Sequence, residues 1–440
     1  MSTPIQIGII GTGYVGLVSG SCFAELGFNV ICGDVIPEKV DMINNGIPPI
    51  FENGLKDLLS NLLEKGRIRA TLDTAEVVSN SDVIFICTGT PSREDGSIDL
   101  KYIESATIDI AKALKGIDSY KTIVVKSTVV PGTTTNFVKP LLEKHSGKIA
   151  GEDFGLGMNP EFLKEGLAIK DFKNPDHIVI GAIDDRSYNM IAEIYKSFTC
   201  PIKNVNPSTA EMIKYATNAF LATKISFINE IANMSEKMGA DIDAVAEGIG
   251  ADQRISEKFL RPGVGFGGSC FPKDVKALAA TAKSLGIGAK TLDTSIAVNK
   301  LQPLRAVELL EQLIDIKDKR IALLGLAFKP ETDDMREAPS IIIADALLQK
   351  GAKVSGYDPV AKETAVMMMP KGTEFCDSVA ELLRDADAAI LVTEWKEFIT
   401  LSLDDFVNMK SKVVVDGRRV LDWQKLSDSG MKIKVLGNPN

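Results

Sequence analysis

The stretch "GFGGSCFPKD", residues 265–274, puts Cys270 inside a glycine-rich turn and follows it at once with Phe-Pro-Lys-Asp. A structural cysteine prefers an apolar strand or helix face. This one stands where backbone can approach a ligand closely, ahead of the helical pattern "PKDVKALAATAKSLG". With Pro272 in the first helical turn, the thiol lies at the positive end of the helix dipole. Lys273 adds to the preference for thiolate, whereas the charge of Asp274 opposes it. These residues alone leave a purely structural turn open.

Other chemistry-bearing residues recur at strand ends and on one helix. Lys214 and Asn218 are four apart in a helical pattern, so they share a face and can both donate to one oxygen, as an oxyanion requires. Spacing alone also allows a solvated polar stripe. "MNPEFLKEG" supplies Glu161 and Glu165 after an apolar strand end, where they serve either as acids and bases or as simple helix caps. "KSTVVPGTT" places Thr128 at the end of another strand, on the side where open α/β sheets bind ligands. The two histidines, His145 and His177, are isolated, so no metal site and no histidine base are expected. Cys22, Cys32, Cys87 and Cys200 lie in apolar surroundings and form no CxxC pair, which reads as small buried hydrophobes.

A cofactor signal opens the chain. "GTGYVG" sets Gly11, Gly13 and Gly16 in G-x-G-x-x-G spacing between an apolar strand (Ile5–Ile10) and a helix. Glycine permits the turn, then close approach of backbone to a pyrophosphate, then tight helix packing. Asp34, 21 residues past Gly13, ends the next strand, "NVICGD", where a carboxylate accepts from a ribose diol and repels a 2′-phosphate. NAD is therefore expected over NADP. Lys39 is a ribose or phosphate contact or a solvated lysine; spacing does not choose.

These residues need a scaffold. Apolar runs "VIFICTG" and "TIVVKST", separated by helical segments, continue a βαβ rhythm to about residue 200 and predict a parallel sheet covered on both faces. From Pro207 a helical pattern of some thirty residues follows, with Ser208 or Thr209 as its cap and Glu211 in its first turn. "RIALLGLAF", "KVSGYDP" ending on Asp358, "ADAAILVTEW" and "KVVVDGRRV" then echo the first half in order. The fold class expected is α/β: two Rossmann-like doubly wound domains joined by a long central helix and a helical middle. The boundaries expected are 1–200, 201–315 and 316–440. The second copy lacks the full glycine fingerprint and should bind something other than a dinucleotide. At 440 residues the chain suits two or three domains. A net charge of −9 argues against nucleic acid or an anionic membrane as partner. The opening "MSTPIQIGIIGTGYVG" enters a strand without a basic leader, which fits the cytoplasm.

The set "GTGYVG", "STVVPGTT", "NPEFLKEG", "KYATNAFLATKISFINE", "GFGGSCFPKD", "LAFKPETDDMREAPS" and "DGRRVLD" resembles the nucleotide-sugar dehydrogenases of the UDP-glucose/GDP-mannose dehydrogenase family, in order and over nearly the whole chain. The thiol stretch favours the branch that oxidises UDP-glucose to UDP-glucuronate with NAD, through two hydride transfers with Cys-bound thiohemiacetal and thioester intermediates. The resemblance implies Cys270 as nucleophile, Lys214 and Asn218 as oxyanion stabilisers, and Thr128, Glu161 and Asp274 as groups that hold or relay protons through water. It places Tyr14, Val15, Thr90, Thr128, Glu165, Lys273 and Arg336 on the cofactor side. Phe162 and Leu163 beside Glu161, the loop from Phe259 through Leu260 and Gly263 to Gly267, and Phe328, Lys329 and Arg418 (rather than Arg419) fall on the sugar-nucleotide side. Arg254 matches a residue donated across a homodimer. The alternatives are a relative acting on GDP-mannose or UDP-N-acetylmannosamine, a two-electron hydroxyacid dehydrogenase, and an NAD-binding redox sensor without turnover.

Overall fold

The computed structural model describes residues 5–439, which divide into two compact units, one up to Thr217 and one from Asn218. In the first unit eight strands form one sheet: β1 (Gln6–Ile10), β2 (Asn29–Gly33), β3 (Ile68–Thr71), β4 (Val83–Ile86), β5 (Lys121–Val125), β6 (Phe154–Met158), β7 (Ile178–Ala182) and β8 (Ile202–Val205). Their spatial order is β3-β2-β1-β4-β5-β6-β7-β8, which begins with the dinucleotide-fold order 3-2-1-4-5-6. Strand chemistry explains the two-sided burial. Along β4, Val83 and Phe85 pack into one apolar cluster and Ile84 and Ile86 into another, so both faces are covered by helices.

One pairing departs from the expected parallel sheet. β7 runs antiparallel to β6, with Gly157 opposite Ala182 and Met158 opposite Gly181. The chain between them turns back at the carboxyl end of β6 through residues 159–177, which hold the Glu161–Glu165 segment and only a six-residue helix, Ala168–Lys173.

The second unit carries six parallel strands: β9 (Arg320–Leu324), β10 (Lys353–Tyr357), β11 (Thr373–Phe375), β12 (Ala388–Leu391), β13 (Val413–Asp416) and β14 (Lys432–Val435). Their order, β11-β10-β9-β12-β13-β14, repeats the topology of the first sheet. Ile321 and Leu323 of β9 pack on one side, Ala322 and Leu324 on the other. Helices Ile242–Gly250, Phe271–Ser284 and Lys290–Glu311 precede this sheet. The helical middle and the two doubly wound sheets read from the sequence are thus present.

A 32-residue helix, Pro207–Met238, runs through the division between the units. Its start corrects the expected cap. Asn206 accepts from Thr209 N–H at 2.8 Å through its side chain, so neither Ser208 nor Thr209 fills that place. Glu211 also departs from its expected first-turn role: its buried carboxylate accepts from Gly132 N–H at 2.5 Å and from the N–H and hydroxyl of Thr134. No helix among the described residues is long and apolar enough to cross a membrane.

Candidate active site

In the first unit β1 delivers the chain into the glycine turn at the switch point between β1 and β4. Gly11 has φ +96°, and a Cβ there would press on the backbone of Cys87 and Thr88. At Gly16 a Cβ would stand 1.9 Å from the Gly11 carbonyl oxygen, so the helix Tyr14–Glu25 crosses the turn at contact distance. Gly13 is the N-cap of that helix, and a Cβ on it would meet nothing within 4 Å. Open space therefore lies in front of a helix N-terminus that no side chain caps, with Tyr14 and Val15 in its first turn. That cradle fits a dinucleotide pyrophosphate.

Asp34, half-buried after β2, accepts from the N–H (2.8 Å) and hydroxyl (2.6 Å) of Thr12, and from Ile36 N–H at 3.1 Å. The fingerprint turn and the acidic residue are thus braced against each other by Thr12, a residue the motif reading passed over. Lys39 lies half-buried in the helix Pro37–Asn44. Thr90, after β4, donates its hydroxyl to the carbonyl of Thr128, after β5, at 3.0 Å. The second sheet uses its counterpart aspartate differently. Asp358 is buried and accepts from Leu326, Ala327, Val360 and Ala361 N–H groups and from the Trp395 indole. Its carboxylate is committed to the turn after β9, which leaves it no capacity for a ribose diol.

The segment after β6 brings Glu161 to Lys214. Their Oε1 and Nζ are 3.0 Å apart, and both side chains are buried. Glu161 also accepts from Leu163 N–H at 2.6 Å, and the Lys214 ammonium lies 5.4 Å from the centre of the Phe162 ring. Burial acts to raise the Glu161 carboxyl, but the adjacent Lys214 charge and its hydrogen bond outweigh it, so the group stays below the usual carboxylate range. Glu165 is half-buried in the same turn. Lys126, which sequence reasoning missed, is a second buried ammonium here: it donates to the Asn159 side-chain oxygen at 2.9 Å. Burial pushes it down to about 8, against the opposing influence of Cys87 and Glu161.

In the second unit Cys270 is the N-cap of the helix Phe271–Ser284, with Pro272 in its first turn, as the residue order predicts. The hydroxyl of Ser269 is 3.4 Å from the sulfur. Asp274, 1% exposed, accepts from the Asn218 carboxamide at 2.6 Å through one oxygen and from the Lys273 ammonium at 2.6 Å through the other. Lys273 and Asp274 thus form an ion pair in the helix that Cys270 caps, and the helix N-terminus is a fixed positive pole.

The loop before the thiol is held by amide side chains. Gly263 donates to Asn229 at 2.8 Å and accepts from Gln302 at 2.9 Å, while Asn299 bonds both the N–H and the carbonyl of Phe266. Lys224 gathers the carbonyls of Ile255 (2.9 Å), Ser256 (3.1 Å) and Lys258 (2.5 Å). Between these anchors Phe259 takes φ +66°, a conformation unusual for a bulky residue, and Leu260 is buried. Gly267 and Gly268 pack against Phe328 so closely that a Cβ on either would overlap it or the Glu337 carbonyl.

Arg418 joins the same neighbourhood. Its guanidinium donates to the carbonyls of Val392 (2.7 Å), Gly265 (3.4 Å) and Phe328 (3.3 Å), and a Cβ on Gly263 would stand 3.0 Å from its Nη1. Arg419 points elsewhere, to Asp243 and the Leu436 carbonyl. Lys329 lies with its ammonium 5.5 Å from the Phe328 ring centre. Arg336 pairs with Asp334, and its carbonyl accepts from Gly268 N–H at 2.8 Å, two residues before the thiol; Arg254, 89% exposed in its side chain, pairs with Asp252. Asn229, Asn299, Gln302 and Lys224 carry no local sequence signal, because their partners are 31 to 39 residues away. Among the described residues no group of three or more His, Cys, Asp or Glu side chains could hold a metal ion.

Comparison with known proteins places the chain in a family. Three sequence models of one family cover the chain: an NAD binding domain over residues 5–199, a central domain over 208–301 and a UDP binding domain over 322–423. The UDP-glucose 6-dehydrogenase AglM of Haloferax volcanii is 44% identical over 433 residues, spanning 96% of this chain and 100% of that protein. The UDP-glucose 6-dehydrogenase TuaD of Bacillus subtilis is 42% identical over 437 residues, spanning 99% and 93%. A solved UDP-glucose dehydrogenase from the archaeon Pyrobaculum islandicum superposes with a TM-score of 0.93 at 37% identity, covering 99% of this chain and 98% of that one. A glycine cradle suited to NAD, a thiol at a helix N-terminus and full-length kinship therefore agree: the chain belongs to the UDP-glucose/GDP-mannose dehydrogenase family.

Proposed function

We propose that this chain catalyses the NAD-dependent four-electron oxidation of UDP-glucose to UDP-glucuronate. The observation that carries the reading is the thiol of Cys270, half-exposed at the N-terminus of the helix Phe271–Ser284, behind a glycine loop whose backbone is preset. A dehydrogenase that stops at an aldehyde has no use for such a sulfur.

Removing two hydrides from one carbon is the chemical difficulty. After the first oxidation the sugar bears an aldehyde, from which direct hydride loss would require an acyl cation. Addition of the Cys270 thiolate forms a C–S bond and a thiohemiacetal, whose carbon again bears hydrogen and an oxyanion. Hydride loss then leaves a thioester on Cys270. Water cleaves the C–S bond, releasing the carboxylate and restoring the thiol. NAD, when bound, accepts the hydride of each oxidation, so two NAD and one water are consumed per sugar.

Residue roles follow in this reading. Gly11, Gly13, Gly16, Tyr14, Val15, Asp34, Lys39 and Thr90 hold NAD, with Glu165, Lys273 and Arg336 on the cofactor side. Lys214 and Asn218 donate to the oxyanions, and losing one such donor typically adds about 2.7–4 kcal/mol to a barrier. Glu161, Asp274 and Thr128 hold or relay protons through water. Glu161 suits that task because it remains ionised beside Lys214. Phe162, Leu163, Phe259, Leu260, Gly263, Gly267, Phe328, Lys329 and Arg418 bind the nucleotide sugar. The three domains are 1–200, 201–315 and 316–440, the enzyme acts in the cytoplasm as a homodimer built on the helical middle, and Arg254 is lent across that dimer. Its side-chain exposure of 89% leaves it accessible for such a contact.

The test is to supply NAD with a panel of nucleotide sugars and count NADH per sugar consumed. Two per UDP-glucose is expected, with GDP-mannose and UDP-N-acetylmannosamine turned over poorly; one per sugar overturns the four-electron reading. Cys270→Ser is expected to bind UDP-glucose and yield no acid.

A further inference from the structure

Glu52 lies in "PIFENGL", ahead of the helix Leu55–Glu64, in a segment that none of the roles above uses. It is 6% exposed, and its partners come from two distant parts of the first unit. Oε2 accepts from the Tyr14 hydroxyl and from Gly166 N–H at 2.6 Å, and Oε1 accepts from Ala168 N–H at 2.8 Å. Gly166 N–H also lies 2.8 Å from the Tyr14 oxygen, and the neighbouring Asn53 donates to the Gly166 carbonyl at 3.3 Å. One carboxylate therefore ties the first residue of the fingerprint helix to the end of the turn that bears Glu161 and Glu165.

We propose that Glu52 is a positioning residue for the cofactor site, locking the 161–168 turn to Tyr14 so that the NAD cradle and the Glu161–Glu165 segment are set as one piece. The inference rests on the reading of those residues given above. Its physical basis is that the start of the turn is held by Glu161–Lys214 and its middle by Lys164–Asp171, whereas Glu52 accepts from the N–H groups of Gly166 and Ala168 at its end. Gly166 sits at φ +81°, a conformation that glycine holds loosely. Residues 159–167 precede a helix of only six residues. The Tyr14 phenol stays protonated, since burial and the Glu52 hydrogen bond both raise it, and so it remains a donor at all working pH values. An amide at position 52 would keep the shape but turn one acceptor into a donor facing an N–H or O–H, breaking part of the node.

The test compares the parent with Glu52→Gln and Tyr14→Phe. Three measurements are made: NAD affinity by fluorescence titration, UDP-glucose affinity by calorimetry, and amide hydrogen exchange of the ligand-free protein. For Glu52→Gln we expect NAD affinity to fall by about tenfold, UDP-glucose affinity to fall less, by about threefold, through Phe162 and Leu163 of the same turn, and exchange at Gly166 and Ala168 to quicken by about tenfold or more, as lost buried acceptors imply. Tyr14→Phe should weaken NAD by about threefold while Ala168 keeps its protection, since Glu52 still accepts that N–H. A folded Glu52→Gln protein with parental NAD affinity overturns the proposal, whatever happens to turnover. Should Glu52→Gln not fold, parental NAD affinity in Tyr14→Phe does the same. Failure of the parent to oxidise UDP-glucose would instead remove the functional reading, because NAD affinity and amide exchange are measured without turnover.

Discussion

Asn218 donates its carboxamide to Asp274 at 2.6 Å, and Lys273 takes the second oxygen of the same buried carboxylate at 2.6 Å. Each oxygen of this carboxylate, four residues after the thiol, thus has a donor, one neutral and one charged. Asp274→Asn would turn one acceptor oxygen into an amide donor facing another donor. We expect a loss of about 1–3 kcal/mol in urea unfolding from the unsatisfied group. If Asp274 also relays a proton, kcat falls by about 10²-fold or more. A stability loss with kcat intact would reduce Asp274 to a brace for Asn218.

Thiol reactivity gives a second check. Burial pushes Cys22, Cys32 and Cys87 each up to about 12, so at pH 8 only about one molecule in 10⁴ carries a thiolate at these positions. Cys270 is half-exposed at a helix N-terminus. Iodoacetamide at pH 8 should therefore modify Cys270 in the native protein and spare those three, read by peptide mass spectrometry, with activity lost in step. Inactivation that tracks any other cysteine would contradict the assignment.

Which features were legible in the sequence follows from their range along the chain. Gly11, Gly13, Gly16 and the Cys270–Pro272 helix start are set by neighbours within a few residues, and the structure places them as the spacing implies. The strands could be read because each is a short apolar run between helical patterns, and Val83 to Ile86 is indeed buried on both faces. Long-range polar pairing was not readable. Asn206 displaced Ser208 and Thr209 as cap, Glu211 turned its carboxylate to Thr134, 77 residues earlier, and Lys273 paired with Asp274. Glu52 meets Gly166 across 114 residues. No periodicity encodes such meetings, because a polar side chain's partner is chosen by the folded backbone.

Lys126 yields a pH prediction. Its ammonium is buried against Asn159 and faces the Phe85 ring at 5.7 Å, with Cys87, Glu161 and Lys214 as its nearest titrating company. Burial lowers it from its ordinary 10.5 to about 8. Between those values the unfolded chain binds more protons than the native one, so stability rises with pH across that window. The burial cost is full below about pH 8 and gone above about 10.5, and it amounts to about 3 kcal/mol at most. Lys126→Met keeps the volume and leaves Asn159 its bond from Tyr195. Urea midpoints should favour the variant at pH 7, with the advantage shrinking as pH climbs from 8 to 10. An advantage unchanged from pH 8 to 10 would mean that Lys126 keeps its charge in the native protein over that range, with no burial cost relieved by deprotonation.

Adjacent arginines allow a discriminating pair of substitutions. Arg418 spreads its guanidinium over the carbonyls of Val392, Gly265 and Phe328, and the Asp416 carboxylate fixes its backbone by accepting from the N–H groups of Arg418, Arg419, Val420 and Leu421. A planar fork reaches three divergent acceptors; an ammonium on a flexible stem does not. Arg418→Lys should therefore loosen the Gly263–Gly265 loop as well as weaken a direct contact to the nucleotide sugar, raising KM for UDP-glucose by about tenfold, the equivalent of roughly 1.4 kcal/mol. NAD affinity, which we assign mainly to the glycine turn and Asp34 of the first unit, should hold. Arg419 is the control. Its buried side chain serves Asp243 and the Leu436 carbonyl, so Arg419→Ala should cost about 1–3 kcal/mol of stability and leave KM near the parental value. If instead Arg419→Ala raised KM and Arg418→Lys did not, the sugar-nucleotide contact would have to be moved to Arg419, and the loop that Arg418 braces would lose its place in substrate binding.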